Sequence, residues 1–526
     1  MNKYFKQLIF CLIFLSGFLV WGNAEAADYY IADDAAGSDD GSSCANAKGI
    51  SYYTGSWSGK VAVGDTLHLC GTITSTLTIG ASGSAGNPIT ILFESGAKFS
   101  KGEGTAWGGG TSPSISSAIY AESKSYITID GGTNGIIENT DNGTGLGVAV
   151  NSHGIGMTSV SNIIIKNLTI KEIYKRTPRS DVDSNTYGVG IWINNGSDIT
   201  VNNNTIYGTY YCLAFTATTG DPSGLYVHHN NLSQMSTGIK IALDGSTNYS
   251  NLNIYNNRFF DSYVWDGSWA ESTWHHRDGI HTWGNYAGKT IGNLSIYNNT
   301  FDGDWGAQAT WTNPRVTGYI YVTDYTTPVL IYNNLFAPTD GTYTNGWIDA
   351  HTYTTGTIGI YNNTFSGLGK TVSNGSVIYL TSSGSWTATI QNNISSTLKS
   401  CIYNPTSDAT ITSDNNIFYE IANVGHVGTT WYESLSSWQG YLGGGCPSAT
   451  GNDCNSVTTD PKFVSSSDFS LQSDSLAIGA GDDSVSAYLT KDILGNDRSD
   501  YDIGAYEYVE AIDIVAPAAP SGLSVS

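Results

Sequence analysis

The densest run of reactive side chains in the sequence is Asp261–Tyr286, DSYVWDGSWAESTWHHRDGIHTWGNY. It carries Trp265, Trp269, Trp274 and Trp283, the histidines His275, His276 and His281, Arg277, and the acids Asp266, Glu271 and Asp278. Aromatic rings beside hydrogen-bonding groups suit pyranose rings, whose C–H faces stack on aromatics while their hydroxyls need polar partners. Imidazole and carboxyl groups close together can accept and donate protons. The three histidines also invite a metal site. Adjacent strand residues point to opposite sides, so His275 and His276 converge only on a bent loop, and singly hydrogen-bonded histidines are the simpler reading.

A repeat positions these groups. NLNIYNNRFF (Asn251–Phe260) recurs as DITVNNNTIYG (Asp198–Gly208), LYVHHNNLS (Leu225–Ser233), LSIYNNTFDG (Leu294–Gly303), LIYNNLFAP (Leu330–Pro338) and IGIYNNTFSG (Ile358–Gly367). Each copy is a short alternating strand, an Asn pair and one more apolar residue. The second Asn serves as a ruler: Asn204, Asn231, Asn257, Asn299, Asn334, Asn363, Asn393, Asn416. Its steps run from 23 residues (Asn393 to Asn416) to 42 (Asn257 to Asn299). A variable step over a constant core predicts an all-β, parallel β-helix, in which each coil stacks only on its neighbours and insertions leave outward. Asn tolerates left-handed backbone at the turn, and its amide can bond the Asn above and below. Hairpin turns in an antiparallel sandwich are the competing reading.

A second recurrent strand lies between the Asn pairs: GIGM (Gly154–Met157), GIWI (Gly190–Ile193), GIKIAL (Gly238–Leu243), GIHTW (Gly279–Trp283), GYIYV (Gly318–Val322) and GWIDAH (Gly346–His351). With Ile239, Ile280, Ile320 and Ile348 inward, alternation sends Lys240, His281, Trp283, Tyr319, Tyr321, Trp347, Asp349 and His351 outward. Coils stack at roughly 4.8 Å, so Lys240, His281, Tyr321 and Asp349 should share one exposed strip, walled by the 42-residue step. Trp274, Trp283, Tyr321 and His351 are the candidate sugar contacts.

The chain opens with Lys3 and Lys6, an apolar run from Leu8 to Trp21 and Ala24-Glu25-Ala26, the order of a signal peptide ending at residue 26. That run is short for a membrane span. With 22 basic and 45 acidic residues, the formal net charge is −23, which disfavours nucleic acid and anionic membrane as partners. A glycan is the expected partner, on an exported or cell-surface protein. Six cysteines follow the leader, an even count that favours disulfides in an exported chain. Cys446 with Cys454 is the safest pair, Cys44 with Cys70 is plausible, and Cys212 and Cys401 are either paired or buried and free. The expected layout is an N-terminal cover and first coils over 27–120, central coils over 121–440, final coils and cap over 441–509, and a linker-like tail over 510–526.

YYIADDAAGSDDGSS near the start and VAVGDTLHLCGTITSTLTIGASGSAGNPITILF (Val61–Phe93) resemble the entry segments of secreted bacterial right-handed parallel β-helix proteins of the pectate-lyase-like superfamily. DPKFVSSSDFSLQSDSLAIGAG (Asp460–Gly481) and DILGNDRSDYDIGAYEY (Asp492–Tyr508) resemble their closing segment, which covers the last coil. The resemblance implies a polysaccharide lyase first. Lys240 would then take the proton α to a uronate carboxylate, with Arg277 or His281 next in line, and Asp244, Asp266 and Asp278 would hold Ca²⁺. RDGIH (Arg277–His281) resembles a block of polygalacturonase-like hydrolases, which implies a carboxyl pair, Asp278 with Asp349 or Asp324, as acid and base. A non-catalytic matrix or adhesion protein that binds glycans is the alternative. The resemblance makes Arg498, with Asp492, Asp502 and Glu507, a tie for the cap rather than a catalytic group.

Overall fold

The computed structural model describes residues 26–101, 107, 116–142, 151–173, 188–245, 248–262, 278–284, 289–305, 316–324, 326–340, 346–352, 355–367, 376–382, 385–447 and 451–510. The signal-peptide expectation, the tail after Glu510 and most of the Trp-rich stretch fall outside these residues.

The chain winds into a right-handed parallel β-helix. One sheet of 14 strands takes one strand from each coil, and a second sheet takes the strand after the Asn turn and the strand beyond the next corner. The strands read from sequence at Thr66–Leu69, Leu77–Ile79 and Ile89–Phe93 are present with those bounds. Inward rows align apolar residues coil on coil, as in Ile239, Ile280, Ile320, Ile348, Ile378 and Ile402. Just after the turns, Phe259, Phe301, Phe336 and Phe365 stack with ring centroids 4.7, 4.7 and 4.8 Å apart. Those distances match the spacing of neighbouring strands.

The Asn turn has two jobs, one for each residue. The first residue of the pair takes the left-handed backbone, with φ near +50° at Asn203, Asn256, Asn298, Asn333, Asn362, Asn392 and Asn415. The second is buried and donates its side-chain amide to the next Asn. The ladder Asn204, Asn230, Asn257, Asn299, Asn334, Asn363, Asn393, Asn416 has Nδ2–Oδ1 distances of 2.9–3.1 Å. Each Oδ1 also accepts the backbone N–H of the preceding rung, as at Asn257 N to Asn299 Oδ1, 3.0 Å. The ruler position Asn231 is therefore corrected to Asn230. His229 occupies the left-handed site (φ +57°) and Asn231 opens the next strand. Buried amides satisfied in this way fix the register of every coil.

Asn416 ends the ladder on Asp453 (3.1 Å), which also accepts the Trp438 indole N–H at 2.8 Å. Trp438, on the short helix Leu435–Tyr441, is fully buried over the last coil. Residues 451–457 stack on the last coil through parallel bridges Ser413–Asn452 and Ile417–Val457. The chain then runs back along the side and straps the first-Asn row. Asn415, Asn392 and Asn362 donate to the carbonyls of Ala480, Asp482 and Asp502 at 2.9–3.0 Å, and Asn333 donates to that of Lys491. Arg498, 7 % exposed, pairs with Glu507 inside the strap (2.8 Å) and joins the strap to the coils through Asn333 Oδ1 (2.9 Å). Cys44 pairs with Cys70 and Cys446 with Cys454, while Cys212 and Cys401 are buried free thiols.

Candidate functional site

The outward strip forms as an aligned row. Cα partners run Lys240, His281, Tyr321, Asp349, Tyr379, Tyr403, His426. The His281 and Tyr321 rings lie 4.7 Å apart, Tyr379 and Tyr403 5.0 Å, and Tyr403 and His426 4.2 Å. Strict alternation fails at the corner that precedes the row. Asp278 pairs with Thr237 and Gly318, and Ile280 pairs with Ile239 and Ile320, while Gly279 is skipped. A Cβ on Gly279 would lie 2.5 Å from the Tyr319 carbonyl oxygen, so the chain bends there. Tyr319 and Trp347, at the same position in the next coils, consequently turn into the core and are 1 % exposed, not outward as alternation predicts.

That corner creates the chemically loaded part of the row. Asp278 is fully buried, and its Oδ1 accepts the Gly318 backbone N–H at 3.1 Å. Its Oδ2 lies 2.9 Å from His281 Nδ1, at ion-pairing distance but off the line a hydrogen bond prefers. Two coils on, Asp349 is 2 % exposed and its Oδ1 has no hydrogen-bond partner among the described residues. Burial, reinforced by the charge of Asp278, pushes the Asp349 carboxyl well above the usual carboxylate range. Gly318 leaves the room between them: a Cβ there would lie 3.5 Å from the Asp349 Cβ. Burial and the nearby Asp349 also raise the Tyr379 phenol. The row thus sets a carboxyl of raised pKa near an Asp–His pair, and two acids in unlike environments are the usual basis of acid–base division of labour.

Lys240 lies one coil before His281. Its Nζ is 5.1 Å from the Tyr211 ring centroid and 5.4 Å from that of Trp283. Burial lowers the Lys240 amine, and the Asp244 charge opposes this. Trp283 is half-buried, with its ring 5.8 Å from His281 and nearly parallel to it. His351 pairs with Thr323 and Thr381, two residues beyond Asp349 on the outward side. Arg277, Trp274, Asp266, His275 and His276 lie outside the described residues, as does the side chain of Asp324.

Of the three acids expected to hold Ca²⁺, Asp266 lies outside the described residues, Asp244 is exposed and Asp278 is buried; among the described residues no three His, Cys, Asp or Glu converge. Sequence reasoning passed over Trp192, Tyr211 and His153, which line a pocket of about 250 Å³ beside Lys240. The signal was present, since Trp192 in GIWI holds the place of Lys240 in GIKIAL. A larger groove, about 660 Å³, lies on the turn side between Asn256, Asn298 and the strap residues Leu494 and Gly495, and contains none of the predicted site residues.

No family model matches the sequence, and no curated protein matches it. Solved structures with a similar trace include pectate lyase Pel9A, at 17% identity over 92% of this chain and 97% of that one, with a TM-score of 0.45. The GH136 lacto-N-biosidase from Eubacterium ramulus aligns at 14% identity over 76% of this chain and 65% of that one, with a TM-score of 0.44. PfbA, a surface adhesin of Streptococcus pneumoniae, aligns at 11% identity over 69% and 87%, with a TM-score of 0.37.

Proposed function

We propose that this chain is an exported protein that cleaves glycosidic bonds of a polysaccharide laid along the outward row. The observation that carries the reading is Asp349: on the same row as His281, its buried carboxyl has a pKa raised by burial and by the charge of Asp278. Asp349 gives its proton to the glycosidic oxygen as the bond to the anomeric carbon breaks. His281 takes a proton from the attacking water, whose oxygen bonds to that carbon, and Asp278 stabilises the imidazolium that results. Asp349 as acid and the Asp278-supported imidazole of His281 as base fill the two roles that glycoside hydrolysis needs. Trp283, Tyr321 and His351 supply ring faces and a hydrogen-bonding edge beside the reacting centre.

Reducing-end release should be screened across a panel of plant, algal and bacterial polysaccharides. The wild type is expected to release reducing ends from one class, and Asp349→Asn and Asp278→Asn are each expected to lower the rate at least about a hundredfold. Binding to a polysaccharide without any product would support the adhesion alternative. Products carrying the ultraviolet absorbance of an unsaturated uronate would transfer the base role to Lys240 and make the protein a lyase.

A further inference from the structure

Ahead of Lys240, the outward row reads Tyr120, Gly156, Trp192 and Ala214. The Trp192 indole therefore stands between the two smallest side chains of the row. The His153 ring, nearly parallel to the indole, stacks 5.5 Å from it. Over Ala214 the 250 Å³ pocket opens, with Tyr211, Thr216, Thr218, Lys240 and Asp244 in its lining. Farther along, His281 packs against Tyr321, and Tyr379 and Tyr403 lead on to His426. Trp192 keeps an open flank because its neighbours in the adjacent coils are small.

The polar groups of the pocket choose among ligands. His153 is 4 % exposed, and among the described residues neither ring nitrogen has a hydrogen-bond partner. Burial lowers its pKa to about 4, so at neutral pH the ring offers one donor and one acceptor. The Lys240 charge already rests against two aromatic faces and is influenced by Asp244, which stands in the pocket lining. An anionic sugar would meet Asp244 and a neutral imidazole on a chain of net charge −23. A neutral pyranose meets none of this opposition. Its C–H face fits the indole, and its hydroxyls find imidazole, hydroxyl and carboxylate partners.

We infer that the Trp192–Ala214 slot is a subsite for a neutral pyranose residue, which makes an uncharged polysaccharide the substrate class. The inference rests on the reading that the outward row takes a glycan. Ala214 lies two coils from His281, about 10 Å at strand spacing, so one oligosaccharide can reach both.

Calorimetric titration of the Asp349→Asn protein, whose turnover is strongly slowed under the proposal, with neutral hexasaccharides (cello-, manno- and xylo-) and with hexagalacturonate tests it. At least one neutral hexasaccharide is expected to bind about tenfold or more tightly than hexagalacturonate. Trp192→Ala should weaken that binding about tenfold, the scale of one lost aromatic stack. Ala214→Phe, which fills the slot and leaves Trp192 in place, should do the same without lowering the melting temperature. Tighter binding of hexagalacturonate would overturn the neutral class and leave the cleavage proposal standing. Binding indifferent to both variants, or no binding across the panel, would overturn the slot. Trp192-dependent binding of a glycan that the wild type never cleaves would sink the catalytic proposal and keep the slot.

Discussion

Asp278 and Asp349 stand two coils apart in one sheet, and the charge of the first raises the carboxyl pKa of the second further. The arrangement costs stability wherever the unfolded chain would ionise. An unfolded Asp loses its proton above its ordinary 3.8, whereas folded Asp349 keeps it. Stability is therefore full below that pH and drains away as pH rises towards the folded value.

Asp349→Asn should consequently melt higher than wild type at neutral pH, with the gain vanishing below pH 3.8, while activity is lost. Calorimetric melting across a pH series checks this. A variant that melted lower at neutral pH would mean that Asp349 is ionised in the fold and cannot be the acid.

The two members of an Asn pair should respond very differently to replacement. Asn298→Gly keeps the left-handed turn, since Gly enters φ near +54° freely, and should cost little. Asn299→Gly removes the acceptor for Asn257 N and strands that donor in the core, while Asn257 Nδ2 keeps the carbonyls of Val227 and Tyr255. A stranded donor costs about 1–3 kcal/mol, so Asn299→Gly should lose clearly more stability than Asn298→Gly. Equal melting temperatures for the two variants would contradict the ladder as the source of coil register.

Arg498→Met leaves Glu507 buried without its partner and frees Asn333 Oδ1. Breaking a buried pair by removing one member costs about 3–5 kcal/mol. Limited proteolysis should then cut within Asp482–Glu507 before any coil, with the catalytic rate of the intact fraction unchanged. Lost activity with wild-type melting would instead assign Arg498 to the site.

The Cys212 and Cys401 thiols are fully buried, and burial pushes both up to about 12. A thiolate-specific reagent should label neither in the native protein and both after denaturation. Labelling of the native protein at Cys212 would require that coil to open locally.

The fold was legible because its signal repeats. Each copy of the strand–Asn pair motif states the same local rule, and Lys240, His281, Tyr321 and Asp349 align once Ile239, Ile280, Ile320 and Ile348 are set inward. What escaped the sequence depends on contacts between remote segments. Alternation misplaced Tyr319 and Trp347 because the corner skips a residue, a bend that Gly279 marks only when the neighbouring coil is seen. The ruler slipped at Asn231 because His229 can also take left-handed backbone. The strap joins Arg498 to Asn333 across 165 residues, beyond any local pattern. The Trp192 slot is defined by what Gly156 and Ala214 lack, and it appears only when three coils are stacked.

The amide ladder makes whole coils into interchangeable modules, since every rung offers the next the same pair of bonds. The strap breaks that equivalence by fastening itself to Asn333, Asn362, Asn392 and Asn415. Gain or loss of a coil beneath it would mis-space four attachments at once. Among the described residues, coils between Asn204 and Asn257 carry no such tether and can be duplicated or excised, provided the Asn-to-Asn step is kept whole. A lineage can in this way lengthen or shorten the stretch of the row that holds Ala214 and Lys240 while Asp278 and Asp349 stay where they are.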